Sequence, residues 1–492
     1  MSADKALVTS GNALAAKYGS TGARQVQAAL AALADADSRR GLNDKIIDLS
    51  DPEEMRAFGV PPVTDPKSCK VAVDAIFRVA EPAFLMLVGG PDVIPHQPLD
   101  NPTPDDGDPT VPSDLPYACD APYSTEPAQF TGPTRVVGRL PDLTGGKAPV
   151  SYLLDLVKNV IGLRPATAEA FRECFAVSAE VWQKSTEESL AHIAGSQGHL
   201  HLVPPEGPDW TTGQLASRRH FVNCHGASDA PEWYGQRNSQ YPVALTASGI
   251  TDRIGSGTAV AAECCYGAQL YDAVRHPTPI CNTYLHSKAS TFFGSTTIAY
   301  GPAAGNGQAD LIAQYLLIDV MSGVSAGLAA LKARQEFVRH TQPSMSPADL
   351  KTLAQFILLG DPSVAPVTVP APVGVEPDAA DTEHRRHTRL VGATLERDIA
   401  VPVPIPDSER GSELEERLRR IGEQYDLHRP AISSFAAEWK GEPALLRTTG
   451  ILPRYHLLHE KRDPQAPVPT DVIVTVREEE GHIVAVDEVV AR

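Results

Sequence analysis

The stretch Thr258-Ala-Val-Ala-Ala-Glu-Cys-Cys-Tyr-Gly267 limits the possible folds of this chain more than any other. Five small or apolar residues run into an acid, two adjacent thiols and a glycine. A run of that length and composition suits a strand buried on both faces of a parallel sheet. Such a strand delivers its last side chains to the carboxyl edge, where open α/β sheets place their ligand sites. Upstream, His220-Phe-Val-Asn-Cys-His-Gly226 has the same character and ends in His-Gly. Two neighbouring strands of this kind set an imidazole beside a thiol.

The remaining segments alternate between the two periodicities. Phe84–Val88, Arg135–Pro141, Cys174–Glu180 and Ser290–Thr296 read as strands. Residues 5–36, Val150–Val160, Ser185–Ile193, Asp310–Met321, Gly327–His340 and Pro347–Leu358 read as helices. The last has an N-cap serine, Ser346, with proline at N1 and Gly360 after its end. Strand–helix alternation predicts an α/β fold with a mostly parallel sheet. Residues 96–134, rich in Pro and Asp, are too polar to be expected in a core. Residues 364–407 read as a Pro-rich linker or wrap, Ser408–Tyr425 as a charged helix, and the end as a β-hairpin turning near Glu480-Gly481.

With 492 residues, more than one domain is expected. A net charge of −18 argues against nucleic acid or an anionic membrane as the main partner. No apolar run reaches the roughly 20 residues that a bilayer requires. An odd set of cysteines in apolar runs and the lack of a leader-like N-terminus make the cytoplasm the default location.

A nearby imidazole raises the thiolate fraction of a cysteine. Cys264 is the expected nucleophile, with His225 as base and the N–H groups of Gly226 and Cys264 facing a developing oxyanion. By strand alternation Cys265 points to the opposite face and is expected to be a packed thiol. Cys224, His225, Cys264 and Cys265 also have the ligand types of a zinc site. They lack CxxC spacing, so no metal and no cofactor are expected. Gly323-Val-Ser-Ala-Gly327 matches a nucleophile elbow, but the segment before it reads as a helix, so Ser322 or Ser325 is better taken as an N-cap.

These blocks resemble the gingipain-type cysteine peptidases of the caspase-like clan CD. The resemblance rests on Val222–Gly235, Ala262–Gly267, Leu359-Gly-Asp-Pro-Ser363, Ser113–Tyr117 and Val136–Leu140, whose order along roughly residues 80–365 is that family's. It implies a caspase-like, mostly parallel sheet flanked by helices. With it go an N-terminal α/β subdomain (1–165), a catalytic domain (166–368), a linker (369–407) and a small α+β extension (408–492). It implies a cysteine endopeptidase acting on protein or peptide through a thioester. Glu180, ending Ser178-Ala-Glu180, is then the residue expected to orient His225. Glu187 and Glu188 are candidates for reading a basic P1 residue, with Thr296, Thr297 and Tyr300 as a pocket wall. The extension is expected to recruit a regulatory partner or to autoinhibit. The rival functions are an inactive peptide-binding relative and a thiol-dependent hydrolase of small molecules.

Overall fold

The computed structural model describes residues 3–194, 199–302, 304–369, 391–392, 394–440 and 451–492. Ten strands form one central sheet: β1 (Lys5–Thr9), β2 (Asp44–Asp48), β3 (Phe84–Val88), β4 (Val136–Leu140), β5 (Cys174–Ala179), β6 (Leu200–Val203), β7 (Arg219–Asn223), β8 (Ala259–Ala262), β9 (Thr291–Ser295) and, beyond a separate strand β10 (Tyr300–Pro302), β11 (Phe356–Leu359). The spatial order is β2-β1-β3-β4-β11-β9-β8-β7-β5-β6. Every pairing is parallel except β9 with β11, so two parallel halves meet at one antiparallel joint.

Side chains alternate between two cores, as the period of a strand requires. Val222, Val260 and Ala262 join one core, which includes Leu30 of helix α1 (Gly11–Ser38), Ile76 of α2 (Pro66–Ala80) and Leu153 of α3 (Val150–Gly162). Phe221, Ala259 and Ala261 join the other. It is covered by α4 (Gln183–Ala194), α5 (Gln308–Met321), α6 (Ala326–His340) and α7 (Pro347–Gln355). This is the expected α/β architecture with a mostly parallel, helix-flanked sheet.

Several local expectations change. Lys5–Thr9 is a strand, not the start of the first helix, because Ala6, Leu7 and Val8 are all buried in the sheet. Helix α7 stops at Gln355, since the unbroken apolar run Phe356-Ile-Leu-Leu359 is better buried between two strands. Residues 96–134 contain buried acids after all: Asp106 and Asp108 are matched by Lys351, and Asp114 by a bidentate Arg139 at 2.6 and 2.8 Å. The motif Leu359-Gly-Asp-Pro-Ser363 has a structural use, with Asp361 2.8 Å from the buried Lys5 ammonium.

A second sheet contains β10 and five further strands: β12 (Ala400–Ile405), β13 (Ala431–Trp439), β14 (Arg454–Lys461), β15 (Asp471–Glu479) and β16 (His482–Ala491). Its order is β10-β16-β15-β14-β13-β12. With the amphipathic helix α8 (Ser412–Gln424) it forms the α+β part. Of the expected linker, residues 370–390 and 393 lie outside the described residues, and Ala400–Ile405 is an edge strand of this sheet. The terminal hairpin is present and runs on to Ala491. Among the described residues no helix is long and apolar enough to cross a membrane.

Candidate active site

The site lies at the carboxyl ends of β7 and β8, which pair in parallel with Phe221 opposite Ala261 and Val222 opposite Ala262. The register adds 40 to each residue number. Carried past the strand ends, it sets Cys224 level with Cys264, and His225 level with Cys265. Alternation then separates the thiols. Cys264 belongs to the core shared with Cys224 and Tyr284. Its Sγ lies 3.9 Å from the Val222 carbonyl, and burial, followed by Cys224, pushes its pKa well up. Cys265 faces the other core, where its Sγ accepts the Ala299 N–H at 3.3 Å. Among the described residues no hydrogen bond joins His225 to Cys264 or to Cys265, and alternation turns the Cys264 side chain away from the imidazole.

His225 is buried between two aromatic rings, with Trp182 at 4.3 Å and Tyr241 at 5.4 Å between centroids. Its Nε2 meets Gln236 Oε1 at 2.8 Å, while Gln236 Nε2 donates to the Asn238 carbonyl. An amide oxygen only accepts, so the proton sits on Nε2 and leaves Nδ1 bare as the basic nitrogen. That nitrogen is buried and has no hydrogen-bond partner among the described residues. Burial lowers the imidazole pKa to about 4, with the nearby Arg492 cation pushing the same way.

Glu180 does not reach the imidazole. It sits in the turn after β5, one-third exposed, in an ion pair with Arg237. Gln236 occupies the position expected of Glu180, and an isolated glutamine in a loop carries no sequence signal for such a role. Glu187 is exposed and accepts from Gln183, while Glu188 offers its carbonyl to His192. Thr296 and Thr297 turn away from the site, donating to the Pro112 carbonyl at 2.7 Å and to Gln355 Oε1 at 2.6 Å. The Tyr300 hydroxyl donates to Asp106 at 3.0 Å. These three side chains anchor the loop through those bonds.

Two N–H groups do converge on one oxygen, but they are those of Gly226 and Cys265. The oxygen is the main-chain O of Arg492, at 3.4 and 2.8 Å. A Cβ on Gly226 would lie 1.8 Å from the Cys265 carbonyl oxygen, so only glycine permits this approach. Two further acids missed in the sequence stand behind the site. Asp310, in the first turn of α5, is fully buried and receives hydrogen bonds from Ser185 and Asn223. Glu263 is also fully buried; burial, and then the charge of Asp310, raise its pKa well above the usual range. Its signal was an acid directly after an apolar run, two residues before Cys265.

As for metals, alternation places Cys224 and Cys264 on the face opposite His225 and Cys265, which breaks up the suspected zinc set. Elsewhere among the described residues, His199, His201 and Glu206 have ligand atoms within 4.8 Å of one another, and His201 Nδ1 is taken up by Glu206 at 2.6 Å.

No family model matches the chain, and no curated protein does. Among solved structures, the chain is similar to separase in the separase–securin complex of Saccharomyces cerevisiae. One such structure has a TM-score of 0.33 and 13% identity, covering 57% of this chain and 15% of that one. Another has a TM-score of 0.29 and 12% identity, covering 48% and 14%. The chain therefore spans only about one-seventh of the length of those separase chains.

Proposed function

We propose that this protein is a cysteine endopeptidase of caspase-like fold, with Cys265 rather than Cys264 as nucleophile and His225 as base. The observation that carries the reading is the β7–β8 register, which, carried three residues past Val222 and Ala262, brings His225 level with Cys265, while the N–H groups of Gly226 and Cys265 meet on one main-chain oxygen. In this mechanism His225 Nδ1 takes the Cys265 proton and the thiolate attacks the scissile carbonyl carbon. The two N–H groups stabilise the oxyanion. As the C–N bond breaks, the imidazolium returns its proton to the leaving amine, and a thioester remains. Water, deprotonated by His225, then attacks the thioester. The peptide carboxylate leaves and the thiol is restored.

Gln236 acts as a positioning residue that fixes the imidazole tautomer. In the structure the thiol pKa is raised by burial and the imidazole pKa lowered, so both groups are neutral at pH 7. Proton transfer from one to the other therefore requires a more solvated or more polar site than this closed one.

The test uses a peptide library together with a peptide electrophile and mass mapping of the adduct. Cys265→Ala should lower turnover by about 10³-fold or more, while Cys264→Ala stays within about threefold of the parent. Loss through Cys264→Ala alone would reverse the assignment. No turnover and no adduct on either thiol, in the parent and in the Arg492→Ala variant, would leave the inactive peptide-binding reading in its place.

A further inference from the structure

The residues that fill the candidate site belong to the chain itself. Strand β16 lies antiparallel to β10, with Ala491 opposite Tyr300, Val490 opposite Gly301 and Val489 opposite Pro302. The Arg492 N–H continues the ladder to the Ala299 carbonyl at 2.9 Å, and its O reaches the two converging N–H groups. An extended segment paired to a strand edge, with one carbonyl among oxyanion donors, is how a peptide lies in such a cleft.

The side chain of Arg492 turns into a closed pocket. Its Nη2 donates to Asp310 Oδ2 and Oδ1 at 3.1 and 3.2 Å, to the Pro302 carbonyl at 3.0 Å and to Ser185 Oγ at 3.3 Å. The guanidinium carbon lies 4.6 Å from the centre of the Trp182 ring. Arg492 and Asp310 are both fully buried. Gly301 forms the pocket mouth, where a Cβ would sit 2.3 Å from Arg492 Nε. Asp310 stands at the start of α5, where the helix dipole favours its charge, and Ser185 and Asn223 hold its carboxylate.

A structural staple would not need this design. A buried ion pair adds little stability compared with apolar packing, and this one leaves Nε and Nη1 of the arginine without partners among the described residues. What the arrangement supplies is recognition, through a flat aromatic face, a fixed carboxylate and a mouth that admits no larger residue. We infer that residues 482–492 occupy the cleft in cis as a substrate-like strand, its Arg492 guanidinium held by Asp310, Ser185 and Trp182 beside Gly301. This rests on the peptidase reading for its catalytic meaning, and not for its binding meaning.

The experiment separates the two. Agmatine, which carries the arginine guanidinium, is titrated calorimetrically into the full chain. The wild type should show no binding, because Arg492 fills the pocket. Arg492→Ala should bind agmatine, and adding Asp310→Asn or Gly301→Ala should weaken that binding by about tenfold or more, the effect expected from losing a charged hydrogen bond. Arg492→Lys keeps a cation near Asp310 and guards against a folding defect; it should bind agmatine more weakly than Arg492→Ala but measurably. In parallel, a fluorogenic peptide ending in Val-Ala-Arg should be cleaved at least about tenfold faster by Arg492→Ala than by the wild type. Equal agmatine binding by the wild type and both Arg492 variants, or binding indifferent to Asp310→Asn, overturns the inference. Agmatine binding without cleavage of any peptide keeps the arginine pocket and removes the peptidase. Cleavage of peptides without agmatine binding does the reverse.

Discussion

Lys351 provides a quantitative test of how the loop behind the site is held. Its ammonium is fully buried, paired with Asp106 and lying 2.7 Å from Asp108 Oδ2. Asp106 also accepts from Thr103 at 2.7 Å and from the Tyr300 hydroxyl at 3.0 Å, and Asp108 from the Ile298 N–H and the Tyr266 hydroxyl, each at 2.9 Å. Burial pushes the Asp106 pKa up, but the Lys351 charge and the hydrogen bonds outweigh it and hold it below the usual range. Lys351→Met leaves two adjacent buried carboxylates without a counter-charge, at a cost of about 3–5 kcal/mol. Unfolding entropy of about 2.1 cal/mol/K per residue gives roughly 1 kcal/mol/K for this chain if it melts as one unit, so the midpoint should fall by about 3–5 °C.

Scanning calorimetry at pH 7 measures the fall. The triple variant Lys351→Met, Asp106→Asn, Asp108→Asn should regain most of it, since no charge is then stranded. The deficit of Lys351→Met should also shrink as pH drops towards about 4. Without the cation the folded Asp106 pKa lies above the unfolded value near 3.9, so proton uptake favours the fold there. A midpoint shift under about 1 °C for Lys351→Met, or no recovery in the triple variant, would refute the buried-charge argument.

Two further outcomes follow from the buried imidazoles and the positioning groups. His220 and His225 both have pKa values lowered to about 4, chiefly by burial. The unfolded chain therefore takes up their protons first, and stability should fall as pH drops from about 6.5 to about 4, by up to about 1.4 kcal/mol per pH unit for each group. Chemical denaturation across this range should show His220→Gln with a slope shallower by about one proton; an unchanged slope would mean that His220 is not the group titrating. On the peptidase reading, Gln236→Leu should lower kcat by about tenfold with little change in KM. Glu180→Gln, which breaks only a half-exposed ion pair with Arg237, should leave kcat within about twofold and stability within about 1 kcal/mol. If steady-state kinetics reverse that ranking, Glu180 is the positioning residue.

Much of the frame was legible because it rests on local pattern. The apolar runs ending at Asn223 and Ala262 are strands, and His225 and the paired cysteines do lie at one sheet edge. Which thiol shares a face with the imidazole was not legible. That choice turns on a register between segments 40 residues apart, and a slip of one residue exchanges the faces of every side chain. Lys351 with Asp106 and Asp310 with Arg492 were hidden for the same reason: each pair joins distant segments, and neither residue alone has a motif. Strand β16 could be read as a strand from its alternation, but its partner β10 is three residues long and follows a strand it does not continue. Polar composition misled over residues 96–134, because an acid that meets its cation inside the protein looks in sequence like any loop acid.

The position of β11 has a consequence for how the chain assembles. Leu359 pairs with Arg139 on one side and with Phe292 on the other, so among the described residues this short strand is the only seam of the sheet between its two parallel halves. During synthesis the first half must wait, with the edge of β4 open, until more than two hundred further residues have been made. An open edge recruits other strands, and closing so long a loop is slow. The burden of the delay falls on the nascent chain: chaperones that shield unpaired edges should matter more for the yield of this protein than the stability of its finished fold would suggest.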